Sequence, residues 1–121
     1  MSICCRGSII QLYQDDTKPR IAFQIQNDND STPIDLSAVG TTVKGRFRPR
    51  DVDATKAEIG CSILGDGSAG QCALVSWPSG LLAGCSTGRY EMQILTDVGG
   101  NGQQTVNGKI DFNVNESFSS A

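Results

Sequence analysis

The chain contains no histidine, which removes the commonest metal-ligating side chain and the usual general base from its chemistry. Without it, neither a Ser-His nor a Cys-His nucleophile can be assembled. The five cysteines do not make up for this, because no two of them have the two-residue gap of a zinc knuckle. We therefore predict a protein that is not an enzyme and that has no metal or other cofactor.

Long apolar runs are also absent, and none approaches the roughly 20 residues that cross a bilayer. Residues 1–7 hold one arginine and no apolar stretch, so we do not expect a secretory signal there. An odd number of cysteines in that context predicts mostly reduced thiols. Cys72, inside the apolar run 71–77, is predicted to lie in the core.

Positive charge is in the minority, with 10 Lys and Arg against 13 Asp and Glu and a net charge of −3. This balance argues against a nucleic-acid binder, which normally has a basic face. The exception is local, because Lys44, Arg46, Arg48 and Arg50 alternate along 42–50. On a strand these four side chains share one face. They form a candidate patch for an acidic protein partner or for phosphates, or else an ordinary solvated strand face.

Period-two alternation dominates the rest of the chain, and no helical stripe of useful length is present. Residues at every second position are predicted to face inward, as in Ile21-Ala-Phe-Gln-Ile25, while Glu91 and its outward neighbours are predicted to face solvent. Pro49 ends its strand or places it at a sheet edge. The predicted strands cover 9–14, 19–27, 42–50, 57–64, 71–77, 88–95 and 106–114.

Seven or eight short one-sided strands in 121 residues predict a single all-β domain. We expect an Ig-like antiparallel β-sandwich, with a small barrel as the other possibility. The predicted organisation is an N-terminal arm at 1–8, the sandwich at 9–115 and a C-terminal tail at 116–121. The Asp pairs at 28–30 and 51–53 are interpreted as turns, since neither completes a calcium loop.

Three segments in order resemble a known family: Asp15-Asp-Thr-Lys-Pro-Arg-Ile-Ala-Phe-Gln-Ile25, Asn29-Asp-Ser-Thr-Pro-Ile-Asp-Leu-Ser37 and Val43-Lys-Gly-Arg-Phe47. Gly88-Arg-Tyr90 and Ile110-Asp-Phe-Asn-Val114 continue the likeness. Together they are similar to the Ig-like N-terminal domain of the phage baseplate upper protein and tail-fibre family.

That resemblance implies a non-enzymatic structural subunit of a bacteriophage virion, made in the host cytoplasm and placed in the tail or baseplate. Its implied partners are other virion structural proteins and further copies of itself, with no nucleic acid and no membrane. A capsid cement protein is an alternative in the same class. A carbohydrate-binding module is an alternative from another class, with Trp77 as its one plausible platform, although Trp77 beside Pro78 is more typical of a lid on the core.

Overall fold

The computed structural model describes residues 2–3, 9–14, 16, 21–27, 30, 32–50 and 56–116. These residues form eight strands and no helix, so they contain no helix long and apolar enough to cross a membrane. The strands are β1 (Ser2–Ile3), β2 (Ile10–Tyr13), β3 (Ile21–Gln26), β4 (Thr42–Pro49), β5 (Ala57–Ile63), β6 (Gln71–Ser76), β7 (Gly88–Asp97) and β8 (Gln103–Asn115).

The strands join into one sheet that closes on itself. Its order is β1-β3-β6-β5-β4-β7-β8, and β1 pairs with both β3 and β8, where Ser2 lies opposite Gln26 and Asn107. β2 pairs in parallel with the last part of β8. The predicted all-β class is therefore confirmed, whereas the sandwich is not, because the strands close into a seven-stranded barrel.

β5 is the strand that turns the corner between the two sides of the barrel. Its first half, from Ala57 to Gly60, pairs with β4, and its second half, from Gly60 to Ile63, pairs with β6, so Gly60 pairs on both sides. The register shifts between Gly60 and Cys61, which marks a β-bulge. A bulge bends its strand and increases the local twist, so the two halves of β5 can lie on different sides of the barrel.

The inside of the barrel is filled by the side chains that alternation predicted. Phe47 is fully buried at its centre, with its ring stacked on Tyr90 at 5.0 Å. Trp77 and Phe112 meet the same ring edge-on, at centroid distances of 6.0 and 5.6 Å. Offset and edge-on aromatic contacts of this kind add to the stabilisation from burial. Trp77 is only 6% exposed, so its predicted role as part of the core is confirmed.

Further strand predictions have mixed outcomes. Pro49 is the last residue of β4, as predicted, but the edge placement is wrong because β4 lies between β5 and β7. Ser2 and Ile3 of the predicted N-terminal arm form β1 and belong to the barrel. The remainder of the arm, Cys4 and Cys5 included, and tail residues 117–121 lie outside the described residues, as do Asp28, Asp51 and Asp53.

Glu91 departs from the predicted pattern, because it lies on the outer side of β7 and yet is only 7% exposed. Two long side chains cover it. Arg48 places Nη2 at 2.7 Å from Glu91 Oε1, and Lys109 places Nζ at 3.3 Å from Oε2. Burial alone would raise the pKa of this carboxyl, but the hydrogen bonds donated by Arg48 and Lys109 outweigh it and hold the pKa below its usual value.

We expect Glu91→Gln to lower the free energy of unfolding at pH 7 by about 1–2 kcal/mol, because Arg48 then loses its charged partner. A carboxyl with a lowered folded-state pKa stabilises the protein above its unfolded-state pKa of about 4.3, and that contribution disappears as the pH falls through the folded value. The gap between wild type and variant should therefore close on acidification. Urea unfolding at pH 7 and pH 3 measures this, and an equal gap at both pH values would contradict it.

The described cysteines are free thiols, with Cys61 and Cys72 in strands of the barrel and Cys85 in the connection from β6 to β7. Cys72 is fully buried, as predicted, and Cys61 is partly buried against the core. Burial raises the pKa of Cys61 to about 12, with a further contribution from nearby Cys72, and raises that of Cys72 to about 11. The register places Cys61 opposite Leu74 and Cys72 opposite Ile63, so the two thiols are not direct cross-strand partners.

In a Cys4→Ser/Cys5→Ser variant, we expect the remaining three thiols to react very slowly with a thiol-specific disulfide reagent at pH 8. A pKa of about 12 leaves Cys61 with about a thousandfold less thiolate than its ordinary value of 9.0 allows. All three should react within the mixing time in guanidinium chloride. Rapid modification of Cys61 in the native protein, located by peptide mass mapping, would contradict this prediction and show that the Cys61 thiol is accessible to the reagent.

Candidate functional site: the charged outer face of the barrel

The candidate site follows from the alternation of β4. Because Val43, Gly45 and Phe47 point into the barrel, Lys44 and Arg46 point outward along one line. A Cβ at Gly45 would overlap the Met92 side chain from β7 unless that side chain moved, so glycine leaves room for Met92 inside the barrel. The antiparallel ladder from Thr42 to Pro49 holds β4 against β7, and the inward positions on β4 leave the cations on its outer side.

Neighbouring strands extend this line of cations into a wider surface. Arg46 lies opposite Glu58 of β5 and Gln93 of β7, and Gln93 lies opposite Lys109 of β8. We define the charged face as the outward ionisable residues of β4, β5, β7 and β8 together with Arg50 and Lys56, which continue the ladder beyond the strand ends. Its cations are Lys44, Arg46, Arg48, Arg50, Lys56, Arg89 and Lys109, and its anions are Glu58, Glu91, Asp97 and Asp111.

The charged face has the opposite sign to the whole chain. Among the described residues all seven Lys and Arg lie on it, against four of the nine Asp and Glu, so its described side chains sum to +3 in a chain of −3. A concentration of one sign on one face creates a local potential that differs from the net charge.

The first two cations of the predicted patch share one carboxylate. Glu58 Oε2 lies 3.1 Å from Arg46 Nε and 3.5 Å from Lys44 Nζ. The hydrogen bond from Arg46, followed by the charge of Lys44, lowers the pKa of Glu58. All three side chains are well exposed, so these pairs are screened by water and add little to stability.

The third cation of the patch, Arg48, binds the buried Glu91, which Lys109 also contacts. Arg50, the fourth, is different. Its backbone N donates to Arg89 O at 3.0 Å, and its exposed side chain makes no ion pair within the described part of the chain. The side chains of Arg89 and Lys56 are also exposed and also make no ion pair with other described residues. The structure thus divides the predicted patch into three paired cations and one, Arg50, that belongs with Arg89.

An amide cluster beside Arg89 escaped the sequence analysis. Gln11 Oε1 accepts hydrogen bonds from Asn113 Nδ2 at 3.2 Å and Asn115 Nδ2 at 2.8 Å, and Asn113 Nδ2 also donates to Asn115 Oδ1 at 2.8 Å. The cluster exists because β2 pairs in parallel with β8, placing Gln11 opposite Asn113. The outward asparagines at alternate positions of β8 were visible in the sequence, but their partner strand was not.

Other places on the molecule offer less. Among the described residues no group of three or more His, Cys, Asp and Glu side chains lies close enough to hold a metal ion. A shallow polar pocket at the start of β4 is lined by Thr42, Lys44, Asp97 and Gln103 among others, and its lysine is the one already paired with Glu58. Asp30 accepts hydrogen bonds from Thr32, as expected of a turn.

Comparison with known proteins gives a likeness of fold. No family model and no curated protein matches the chain. Among solved structures, the crystal structure of CopC from Methylosinus trichosporium OB3b matches with a TM-score of 0.51 and 10% sequence identity, over 95% of this chain and 91% of that chain. At this identity the likeness concerns the β fold alone.

These comparisons correct the predicted function. CopC is not a phage protein, and this likeness gives no support to a phage role, so the prediction of a bacteriophage virion subunit is wrong. The resemblance to the baseplate upper protein family stays a prediction, as do self-association and the expectations of no nucleic acid and no membrane. What the chain shares with a solved structure is its β architecture.

Proposed function

We propose that this chain is a non-catalytic binding domain that takes an acidic protein partner on its charged face. The observation that carries the proposal is that all seven cations of the described residues lie on one side of the barrel, where the described side chains sum to +3 on an acidic chain. A surface that opposes the net charge of its own chain is suited to attract carboxylates while the rest of the molecule repels them.

An ordinary solvated strand face is the competing interpretation, and the pairing pattern argues against it. Such a face typically sets each cation beside an anion, as Glu58 and Glu91 do for four of the seven cations. Arg50, Lys56 and Arg89 are left without such partners among the described residues. Exposed charges contribute little to stability, so the stability of the fold does not explain these three additional cations.

An acidic protein fits this surface better than nucleic acid does. A surplus of three charges is small for a protein that neutralises several phosphates at once. Among the described residues, the charged side chains outside the face are all Asp or Glu, and they would repel a long polyanion that extends beyond the face. A folded protein can present a few carboxylates locally and avoid that repulsion.

We further infer that the barrel is an Ig-like sandwich closed at its corners. One layer would contain β1, β3, β6 and the second half of β5, and the other the first half of β5 with β4, β7, β8 and β2. Two observations support this division. The register of β5 shifts between Gly60 and Cys61, and the two N-terminal strands pair differently, β1 with β3 and β2 with β8. The charged face would then be the outer surface of the second layer.

Calorimetric titration with decaglutamate tests the proposed function, with decaglutamine as the uncharged peptide of the same length. We expect decaglutamate to bind at about 20 mM salt and to bind several-fold more weakly at about 200 mM, where the Debye length is shorter. Decaglutamine should bind more weakly than decaglutamate at low salt. Absence of decaglutamate binding at low salt, or equal binding of decaglutamine, would overturn the proposal.

A further inference from the structure

One row of side chains crosses the outer face at the end of β4, beyond the last ion pair. Arg50 lies beside Arg89 through the 3.0 Å backbone hydrogen bond, Arg89 lies opposite Asn113, and Asn113 lies opposite Gln11. We call these four residues the arginine row. Since all four occupy outward positions of neighbouring strands, their side chains share one strip of surface.

The two arginines of this row are placed against the usual preference of a sheet. Like charges directly opposite each other destabilise a strand pair. The adjoining row also sets like charges opposite each other, Glu91 and Asp111, but there Arg48 and Lys109 offset the repulsion by binding Glu91. Among the described residues no carboxylate makes such an ion pair with Arg50 or Arg89. Binding of an anion between the two guanidinium groups would supply the missing opposite charge.

The amide cluster supplies a fixed border to this strip. Hydrogen bonds from Asn113 and Asn115 converge on Gln11 Oε1 and hold the three amides together. Gln11 Oε1 accepts both of these hydrogen bonds. Gln11 Nε2, which can only donate, makes no hydrogen bond to other described residues. The strip thus offers hydrogen-bond donors from two guanidinium groups and one amide, which is the equipment for binding oxygen anions.

We infer that the arginine row is where carboxylates of the acidic partner dock, and that Lys44, Arg46 and Arg48 serve mainly to hold Glu58 and Glu91. This inference rests on the proposed function and names the contact within it. The planar fork of each guanidinium matches the two oxygens of a carboxylate. Adjacent strands are about 4.8 Å apart, so two forks side by side can grip one carboxylate or two neighbouring ones.

The test compares two double variants that remove the same charge from the same face. Arg50→Gln/Arg89→Gln should weaken decaglutamate binding about tenfold or more, because charge-assisted hydrogen bonds are lost. Lys44→Gln/Arg46→Gln should weaken it about threefold or less, as expected of screened surface charges. The second variant also leaves Glu58 without its two cations, and the free carboxylate then repels the peptide. This repulsion increases the loss of affinity in the second variant and therefore works against the difference that we expect. Equal losses, or a larger loss in the second variant, would overturn it.

Failure of this inference can be told apart from failure of the proposed function. If wild type does not bind decaglutamate, the proposed function is wrong; if wild type binds and the two double variants lose affinity equally, only the arginine row is wrong. Thermal unfolding of both variants checks that the barrel is intact. Arg50→Lys/Arg89→Lys keeps the charge but removes the fork, and we expect it to bind more weakly than wild type. Wild-type affinity in that variant would overturn the bidentate geometry.

Competition identifies the chemistry of the anion. Glutarate carries the carboxylates of an acidic peptide, and inorganic phosphate carries the tetrahedral oxygens of a phosphoryl group. At equal ionic strength we expect glutarate to displace decaglutamate at a lower concentration than phosphate does. Displacement by phosphate at the lower concentration would overturn the carboxylate assignment and make the row a phosphate site.

Discussion

The burial of Phe47 is the constraint on which the remaining structure depends. Its ring lies between Tyr90, Trp77 and Phe112, so aromatic packing joins β4 to β7, to β8 and to the end of β6. Once this side chain points inward, the two-residue period of a strand decides the direction of every neighbour on β4. The line of outward cations is therefore a consequence of the core.

Closure of the barrel has a second consequence for function. A closed sheet has few free edges, and the backbone of β4 and β7 is paired on both sides, so a partner cannot simply add a strand there. Recognition on this face must use side chains. The paired cations act locally, as where Arg48 and Lys109 allow Glu91 to stay charged while covered. Arg50 and Arg89, which form no ion pair with other described residues, keep their hydrogen-bonding capacity for a ligand.

Much of the fold could be predicted from local patterns, because the alternation of apolar and polar residues around Phe47, Met92 or Ile110 indicates which side of a strand is buried. Pairing between distant strands could not. Closure through Ser2 and the amide cluster at Gln11 both depend on the N-terminal strands meeting β8, about a hundred residues later, and no local pattern encodes that. The four alternating cations from Lys44 to Arg50 were found by spacing alone. Their division into paired and unpaired members required the neighbouring strands.

The most direct test of the central claim, that the charged face is where a partner binds, is a map of the contact in solution. Two-dimensional NMR of the ¹⁵N-labelled chain, titrated with decaglutamate, reports each backbone amide separately. The account predicts that the largest shifts occur in β4, β7 and β8 around Arg50, Arg89 and Asn113, with little change in β3 and β6. Shifts centred on β3 and β6, with the charged face unchanged, would contradict it.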